Sequence, residues 1–312
     1  MPDHLAELGR VVGERLLAPP RAAAGAADAQ AVMDVVDGRA GAVAAVVLYG
    51  SCLHRRTAAG DSEPDYFLVV DSLRRWHRGL AGAVGNALLP PSTYHARVHT
   101  RAGPRRCKVS VISTEQLAHE TSPQASDLHH LGRFSKPLAL LWARDDNAFR
   151  AVRDAQVRAL TTLAPLARAL LDSPITGEDF MLALLGISYL GEHRLAEPDK
   201  VRAILAADRA HLLRIGGLLL ASAGLRAEGA RFVNPPAASR EEVERFIARS
   251  RMRALLRWPK YLLTFDGWLD YLGRKLERHT GRRLALTEAQ RKHPLLLAWP
   301  ELLALRRDGL LR

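Results

Sequence analysis

The sequence contains few cysteines and has no apolar run long enough to cross a membrane. Cys52 and Cys107 are its two cysteines, and they form no CxxC pair. Two isolated thiols rule out a disulfide framework and suit a reducing compartment. The longest apolar runs, at 42–49 and 216–225, are far shorter than the roughly 20 residues that a membrane span requires. Charged residues within the first ten positions argue against a signal peptide, so we expect a cytoplasmic protein, soluble or peripheral on a membrane.

The positive charge of the chain is large and unevenly distributed. Arg and Lys number 45 against 33 Asp and Glu, which gives a formal net charge of +12. Residues 240–312 contain 17 of the basic and 9 of the acidic residues, a surplus of 8 (17 minus 9). A surplus of this kind favours an anionic partner, either nucleic acid or an anionic lipid surface. A solvated basic face is the alternative interpretation.

The hydrophobic pattern changes once along the chain. Short apolar runs rich in β-branched residues predict strands at 42–49 and 65–70, with further strands at 94–98, 107–112 and 136–143. From about Asn147 the pattern becomes helical, and the proline-bearing segment 232–238 predicts a linker. We therefore predict an α/β domain with a mixed sheet over 1–150, a mostly helical domain over 151–235, and a basic C-terminal region over 236–312.

The stretch from Val46 to Asp71 contains the most informative pattern. A predicted strand ends in Gly50-Ser51, a polar loop follows, and Asp65 opens the next strand. This order resembles the nucleotidyltransferase pattern of DNA polymerase β and its relatives. Glycine lets a backbone approach a triphosphate, the serine hydroxyl can bind phosphate oxygens, and the aspartate can hold magnesium.

One feature of that pattern is missing. Nucleotidyltransferases of this fold usually carry a second carboxylate two residues after the first, where this chain has Phe67. Asp71 lies about 20 Å along the strand from Asp65, too far to share an ion. Glu63 or Asp61, just before the strand, could supply a further metal ligand.

Five motifs identify a more specific resemblance. They occur in the order YGSCLHRR, DYFLVVDSLRRWH, KVSVIST, LGRFSKP and GISYLGEHR. Over residues 46–204, about half of the chain, they resemble the mitochondrial translocator assembly and maintenance family and its bacterial relatives. Those proteins also lack the second strand carboxylate. This chain departs from them at Cys52, where the family usually has glycine, and in its C-terminal region, which does not align.

The resemblance implies both a fold and a reaction. The fold is a DNA polymerase β-like nucleotidyltransferase domain followed by a winged-helix-like domain. The reaction is that of a phosphatidate cytidylyltransferase, in which CTP and phosphatidic acid give CDP-diacylglycerol and pyrophosphate with Mg2+. The attacking phosphate oxygen is already anionic near neutral pH, so a general base is not needed, which fits the missing carboxylate. Cationic groups that screen two anionic substrates are needed instead.

The expected site residues follow from the motifs and from this chemistry. We expect catalysis to depend on Asp65, Ser51 and Lys108, with Asp65 as the metal ligand. For the nucleotide we expect Tyr49, Gly50, Ser51, Lys108, Arg133 and Lys136, and for phosphatidate Tyr189, Arg194 and Lys200. Lys108 could instead be an ordinary surface lysine, and Arg133 with Lys136 a solvated loop. His77 fits a packed structural pair with Trp76 better than a nucleotide contact.

The basic C-terminal region predicts contact with an anionic membrane surface. Arg249, Arg253, Arg257 and Lys260 share one helical stripe with no acidic residue between them. Apolar and aromatic neighbours make this pattern typical of a helix lying among lipid headgroups, and the tail 293–312 repeats the mixture. A helix packed on the protein with one wet face is the alternative. Because phosphatidic acid carries two acyl chains, we expect a peripheral protein on the inner face of the cell membrane.

Two other classes of function remain open from the sequence. One is a nucleotidyltransferase that acts on RNA, tRNA or an antibiotic, for which a basic tail is suitable. The missing second carboxylate argues against such a hydroxyl acceptor, so we do not expect nucleic acid as a partner. The other is a catalytically inactive relative that binds nucleotide as a module.

Overall fold

The computed structural model describes residues 3–18, 29–34, 42–53, 63–77, 79–100, 103–191, 198–225, 227–229, 231–233, 235, 238–264, 287–288 and 290. The predictions that rest on Asp61, on Arg194 and on the tail 293–312 lie outside these residues. Contacts group residues Met1–Lys260 into one compact unit and residues Tyr261–Arg312 into another.

In those ranges the helices are α1 (His4–Leu17), α2 (Ala29–Asp34), α3 (Leu73–His77), α4 (Leu80–Leu88), α5 (Thr114–Glu120), α6 (Leu128–Phe134), α7 (Asp146–Arg168), α8 (Gly177–Leu190), α9 (Pro198–Ala207), α10 (Arg209–Ser222) and α11 (Arg240–Thr264). The strands are β1 (Val43–Tyr49), β2 (Asp65–Val70), β3 (Ser92–Thr100), β4 (Gly103–Ser113), β5 (Ala139–Ala143), β6 (Ile175–Thr176), β7 (Ala227–Glu228) and β8 (Arg231–Phe232). A 3-10 helix covers Ser51–Leu53.

The larger sheet confirms the predicted α/β class. Within the described chain its five strands lie in the order β3-β4-β2-β1-β5. β2 and β4 run parallel, whereas the other neighbours are antiparallel, so the sheet is mixed as expected. β1 and β2 are central and almost wholly buried, which explains why each is a continuous apolar run.

The edge hairpin and β5 differ in length from the prediction. β3 and β4 extend beyond the apolar runs at 94–98 and 107–112, because the outer half of their hairpin is polar and partly solvated. Gly103 turns this hairpin with a φ of 99°. β5 begins at Ala139 rather than at Lys136, since Lys136 still belongs to a turn in which its N–H binds the carbonyl of Arg133.

The helices begin where capping residues predict. Ser113 caps α5 in a capping box with Gln116. Asp145 caps α7, which is 23 residues long and contains the predicted domain boundary between 150 and 151. The described helices include none that combines the length and hydrophobicity needed to cross a bilayer.

A smaller sheet lies among the C-terminal helices. Its three short strands in the described residues have the order β6-β8-β7, with α8, α9 and α10 between β6 and β7 in sequence. The segment 232–238 is therefore not purely a linker, since Phe232 pairs with Ile175. Arg168 also donates a hydrogen bond to the carbonyl of Pro235 at 2.9 Å.

Alternate residues of β1 and β2 face two different apolar clusters. Val47, Phe67 and Val69 belong to the cluster that includes α1, α5 to α8, α10 and the start of α11. Leu48 and Tyr66 belong to the cluster on the other face, with side chains of α2, α3 and β3. Because side chains alternate along a strand, Asp65 shares the face of Phe67, which is the face that α1 and α5 to α8 cover.

Helices α6 and α8 approach each other closely at Gly132. A Cβ atom built at Gly132 would lie 1.9 Å from the Cβ of Ser188, which no real pair of atoms can tolerate. A glycine is therefore required where α6 crosses α8. Both helices lead directly to residues that the motifs assign to the site, so this contact sets the spacing between them.

Replacing Gly132 by alanine should destabilise the protein. The added methyl group must push α6 away from α8, and overpacking of this kind costs about 1–3 kcal/mol. The free energy of unfolding, measured by urea denaturation, is the appropriate observable.

Gly186→Ala is the matched control, because a Cβ at Gly186 on α8 meets no atom within 4 Å. Alanine is favoured over glycine inside a helix by about 1 kcal/mol, so this variant should be as stable as the wild type or more so. Equal stability of the two variants would contradict the described packing of α6 on α8.

Candidate active site

A row of four paired residues crosses the larger sheet at the end where β1 finishes and β2 begins. Tyr49 pairs with Asp65, Asp65 pairs with Lys108, and Lys108 pairs with His95. Residues paired directly across strands present their side chains on the same face. The sheet register therefore gathers side chains that are far apart in sequence into one line.

The turn after β1 depends on Gly50. Its φ of +85° lies in the left-handed region that favours glycine. A Cβ atom at this position would lie 3.0 Å from Oδ2 of Asp65, so the backbone turn and the carboxylate are in close contact. Cys52 follows within the 3-10 helix and is buried, so it takes helical dihedrals rather than a positive φ. The departure from glycine at Cys52 is accommodated for that reason.

Asp65 and Lys108 form the charged centre of the row. Nζ of Lys108 lies 3.7 Å from Oδ1 of Asp65, and each side chain is about one quarter exposed (25% and 24%). The backbone N–H of Lys108 also donates to the carbonyl of Pro64 at 2.9 Å, which fixes the register beside Asp65. Lys108 thus lies on the same face of the sheet as Asp65, with that carboxylate as its neighbour.

Tyr49 connects this centre to two further groups. Its Oη lies 3.4 Å from Oγ of Ser110, which in turn lies 3.0 Å from Oγ1 of Thr93. Burial raises the pKa of Tyr49, and the charge of Asp65 raises it further, whereas the charges of Arg133 and Lys108 act in the opposite direction. The phenol therefore stays protonated near neutral pH, and Arg133 is close enough to influence it.

Phe67 occupies the position where related folds carry a second carboxylate. Its ring stacks on Tyr49 with centroids 4.4 Å apart and an interplanar angle of 23°. Phe134 and His130 of α6 pack on the same ring at centroid distances of 5.4 and 5.9 Å. An aromatic cluster thus fills this place, and a charged side chain could not replace Phe67 without burying its charge.

Glu63 lies next to the row and is a candidate second metal ligand. Its Oε2 is 3.9 Å from Nδ1 of His95 and is buried without a hydrogen bond. Burial raises the pKa of the neighbouring Cys107 thiol to about 12, and the negative charges of Asp65 and Glu63 add to this effect. Within the described residues no three His, Cys, Asp or Glu side chains converge as a metal cage. The donor set suits an ion held by one or two carboxylates and by substrate phosphates, as magnesium often is.

Lys136 and Tyr189 come together at the junction of α6 and α8. Nζ of Lys136 donates to Oγ of Ser188 at 2.7 Å and lies 4.0 Å from the centroid of the Tyr189 ring. Arg133, one helical turn before Lys136, donates to the carbonyl of His129 at 2.8 Å. Residues of the fourth and fifth motifs are therefore adjacent in space.

Other predicted residues have separate surroundings or stay untested. Lys200 is partly buried in the first turn of α9, and its role stays a prediction. His77 contacts Asn86 at 3.1 Å and Tyr94 at 3.3 Å, as expected for a packed structural residue. Asp71 forms a two-pronged ion pair with Arg144 at 2.6 and 3.1 Å. Asp71 therefore binds Arg144 at the opposite end of β2 from Asp65.

His95, Ser110 and Asp127 are residues that the sequence patterns did not indicate. His95 and Ser110 are ordinary polar residues of strands, and their place in the site depends on the hairpin register. Asp127 precedes α6 as a capping residue, and that signal was available in the sequence. Nothing local indicates its second role, as the acceptor for Arg253 and Arg257 of α11.

Three curated proteins, each named mitochondrial phosphatidate cytidylyltransferase, are similar to this chain, whereas no protein-family model matches it. The Homo sapiens protein is 24% identical over 196 residues, which cover 55% of this chain and 42% of that protein. The Bos taurus protein is 29% identical over 194 residues, covering 55% and 56%. The Mus musculus protein is 26% identical over 186 residues, covering 52% and 54%.

The chain thus spans about half the length of the curated relatives that it matches. By name these relatives are nucleotidyl-transferring enzymes with phosphatidate as the acceptor. Their names agree with the family that the five motifs indicate, which confirms the resemblance: over about half of its length, this chain is similar to the mitochondrial phosphatidate cytidylyltransferases.

Proposed function

We propose that this chain transfers CMP from CTP to phosphatidic acid, giving CDP-diacylglycerol and pyrophosphate for phospholipid synthesis. The observation that carries the proposal is the placement of Asp65 against the Gly50 turn, beside Lys108, with Phe67 in place of a second carboxylate. The relatives named for this activity support the same reaction.

The proposed reaction explains why one carboxylate is enough. A phosphate oxygen of phosphatidate attacks the α-phosphorus of CTP, a new P–O bond forms, and the bond to the β-phosphate breaks as pyrophosphate leaves. No proton has to be removed from the nucleophile, because it is already an anion near neutral pH. The buried Phe67 is compatible with this acceptor and would be a defect in an enzyme that had to activate a hydroxyl group.

The nucleotide end of the site comprises the Gly50-Ser51 turn, Lys108 and Arg133. Gly50 allows close approach of phosphates to the backbone, and a serine hydroxyl such as that of Ser51 can bind a phosphate oxygen. Lys108 and Arg133 supply positive charge near Tyr49, where negative charge builds up during transfer. Asp65, with Glu63 as the second candidate, would hold Mg2+, which neutralises phosphate charge when bound.

The phosphatidate end is assigned to Tyr189, with Arg194 and Lys200 further along the chain. We move Lys136 from the expected nucleotide group to this end, because its ammonium group lies 4.0 Å from the centroid of the Tyr189 ring. Lys136 and Tyr189 are in contact, and Arg133 lies one turn away on α6. This places cations on both sides of the reacting phosphates in the proposal, as two anionic substrates require.

The fold arrangement supports a DNA polymerase β-like domain followed by a winged-helix-like domain. The mixed sheet carries the Gly50-Ser51 turn and Asp65 on adjacent central strands, as that nucleotidyltransferase pattern needs. The short sheet β6-β8-β7, with helices inserted before the β7–β8 hairpin, fits a winged helix. We propose that the chain has three functional parts, residues 1–150, 151–235 and 236–312.

We also propose that the protein binds an anionic membrane surface, and that it does so through faces that differ from the predicted stripe. Arg257 is buried and Arg253 binds Asp127, so these two residues pack on the protein. Among the described side chains of α11, the large apolar ones that are exposed are Met252, Leu255 and Leu256, at 58%, 47% and 53% exposure.

A second apolar stripe lies on α4. Leu80, Val84 and Leu88 are all exposed and are spaced four residues apart on the helix. The guanidinium of Arg253 donates to the carbonyl of Leu88 at 3.1 Å, so this end of α4 is adjacent to α11. Exposed cations lie close in sequence to the two stripes. They are Arg74 and Arg75 on α3, and Arg249 on α11. An amphiphilic surface of this composition favours anionic lipid, and we place it at the inner face of the cell membrane.

Changing Asp65 to asparagine should reduce product formation more than tenfold without unfolding the protein. The variant keeps the size of the side chain but loses the charge that would hold magnesium beside Lys108. The assay is incorporation of radiolabelled CTP into lipid with phosphatidate vesicles and Mg2+. Turnover above a tenth of the wild-type value would contradict the assignment of Asp65.

Asp71→Asn is its matched control, since Asp71 is a carboxylate at the other end of the same strand and pairs with Arg144 on the surface. Exposed ion pairs of this kind contribute at most about 1 kcal/mol, so activity should stay near wild type. The same assay with RNA in place of vesicles tests the rival acceptor, and incorporation into RNA alone would refute the proposed substrate.

Lys108→Gln should raise the KM for CTP by about tenfold or more, because a charge-assisted contact to phosphate is lost at a partly shielded site. Arg144→Gln removes an exposed cation from the opposite end of the sheet and should leave this KM unchanged. Steady-state kinetics with CTP varied at saturating phosphatidate gives the comparison. If both variants had the wild-type KM, Lys108 would have no role in nucleotide binding.

Changing Met252, Leu255 and Leu256 together to glutamine should weaken sedimentation with vesicles that contain phosphatidylglycerol, and the salt-resistant fraction of binding should fall most. Apolar insertion is insensitive to ionic strength, whereas attraction by arginine is screened by salt. Leu5→Gln with Leu17→Gln, which changes two exposed leucines of α1, is the control. Equal losses in both variants would mean that the α11 face has no special part in membrane binding.

A further inference from the structure

Side chains of α11 form hydrogen bonds with the ends of two other helices. Leu128 begins α6 and Gly191 follows α8, and these are places where backbone groups lack partners within their own helix. The side chains of Ser250, Arg251, Arg253 and Arg257 reach these ends from α11. Such contacts come from a region beyond residues 46–204, where the motif resemblance lies.

Ser250 bridges α6 and α8 with a single hydroxyl group. Its Oγ accepts from the N–H of Leu128 at 3.1 Å and donates to the carbonyl of Gly191 at 3.1 Å. Ser250 is 2% exposed, so water cannot easily replace it. A Cβ atom at Gly191 would lie 2.6 Å from Oγ of Ser250, which shows how closely α11 approaches the end of α8.

Arginine side chains extend the same arrangement. Nε of Arg251 donates to the carbonyl of Leu190 at 2.7 Å, at the C-terminal end of α8, where a cation is favoured. Asp127 caps α6 through the N–H of His129 at 2.8 Å and accepts from Arg253 at 2.9 Å and from Arg257 at 2.5 Å. The start of α6 and the end of α8 are thus both fastened to α11.

The two fastened helices carry or precede the residues assigned to phosphatidate. Ser188 and Tyr189 lie in the last turn of α8, beside its fastened end, whereas Lys136 follows the C-terminal end of α6, opposite the fastened start of that helix. Lys136 binds both of them, at 2.7 Å to Oγ of Ser188 and 4.0 Å to the ring of Tyr189. A shift of either helix end would therefore change the position of the Lys136 ammonium group.

We infer that Ser250 and Arg251 of α11 are positioning residues, which set the Lys136–Tyr189 end of the site from the C-terminal region. The inference rests on the proposed function, since it assigns that end to phosphatidate. Most of the nucleotide end, including Asp65 and Lys108, is fixed separately by strand register and the Gly50 turn, and Arg133 is its one residue on α6. We therefore expect α11 to act chiefly on phosphatidate. The C-terminal region consequently has a role inside the enzyme in addition to any contact with a membrane.

The test compares Ser250→Ala, Arg251→Ala and Arg251→Lys in the full-length protein. Loss of a buried bridging hydrogen bond in Ser250→Ala should raise the KM for phosphatidate about tenfold, with the Kd for CTP within twofold of the wild type. Arg251→Ala should raise the same KM several-fold. Arg251→Lys should recover most of the loss, because lysine also donates to the last carbonyls of a helix.

Arg245→Ala is the matched control. Arg245 is an exposed arginine of the same helix, and its Nε lies 4.0 Å from Oε1 of Glu241. It should leave both the KM for phosphatidate and the Kd for CTP unchanged. A KM for phosphatidate that stayed at the wild-type value in Ser250→Ala and Arg251→Ala would overturn the inference. So would a rise of equal size in the Kd for CTP, which indicates general destabilisation.

Amide hydrogen exchange separates this inference from the proposed function. Ser250→Ala should speed exchange at Leu128 and at 188–191, while exchange at the β1–β2 end of the sheet stays as in the wild type. Wild-type protein that makes no CDP-diacylglycerol would refute the proposed function by itself. Unchanged exchange at both helix ends in Ser250→Ala would refute the positioning role, whatever the turnover of the wild type.

Discussion

The stacking of Tyr49 on Phe67 is the contact on which the site depends. It joins the end of β1 to β2, and α6 packs on the same aromatic pair through Phe134 and His130. Because Phe67 is buried between sheet and helix, Arg133 is brought close to the sheet end that carries Asp65. The residue that replaces a second carboxylate therefore also determines where a cation of the site lies. The absence of a carboxylate at Phe67 and the nearness of Arg133 to Tyr49 are thus two features of the same packing.

The site is assembled from two parts that are fixed by different forces. The Asp65–Lys108 centre is set by backbone hydrogen bonds across the sheet and by a glycine turn, and such pairing permits little displacement. The Lys136–Tyr189 contact is set by helix packing at Gly132 and by polar contacts from α11. The proposed pair of substrates, a nucleotide and a lipid, suits this division, since the two ends depend largely on different contacts.

Much of this arrangement could be predicted from residue patterns. The limits of β1 and β2, the cap at Ser113 and the change to helices near Asn147 follow from local signals, and the structure confirms them. The contact partner of the C-terminal stripe could not be predicted in the same way, because arginines at helical spacing suit a lipid surface and a protein surface equally. Arg257 is buried against Asp127, which lies 130 positions away, and no local pattern reports a partner at that distance.

By itself the sequence determined the elements that carry the site and the chemical types within it: a glycine turn, one strand aspartate, and cations in ordered motifs. These depend on side-chain periodicity, capping and turn preference, which act over a few residues. Only the tertiary structure decided which strands pair, and thus that His95, Lys108, Asp65 and Tyr49 form one row. Only the tertiary structure placed α11 on α6 and α8. Both outcomes depend on register and on buried contacts between distant segments, whose stability comes from the whole packed chain rather than from any local stretch of it.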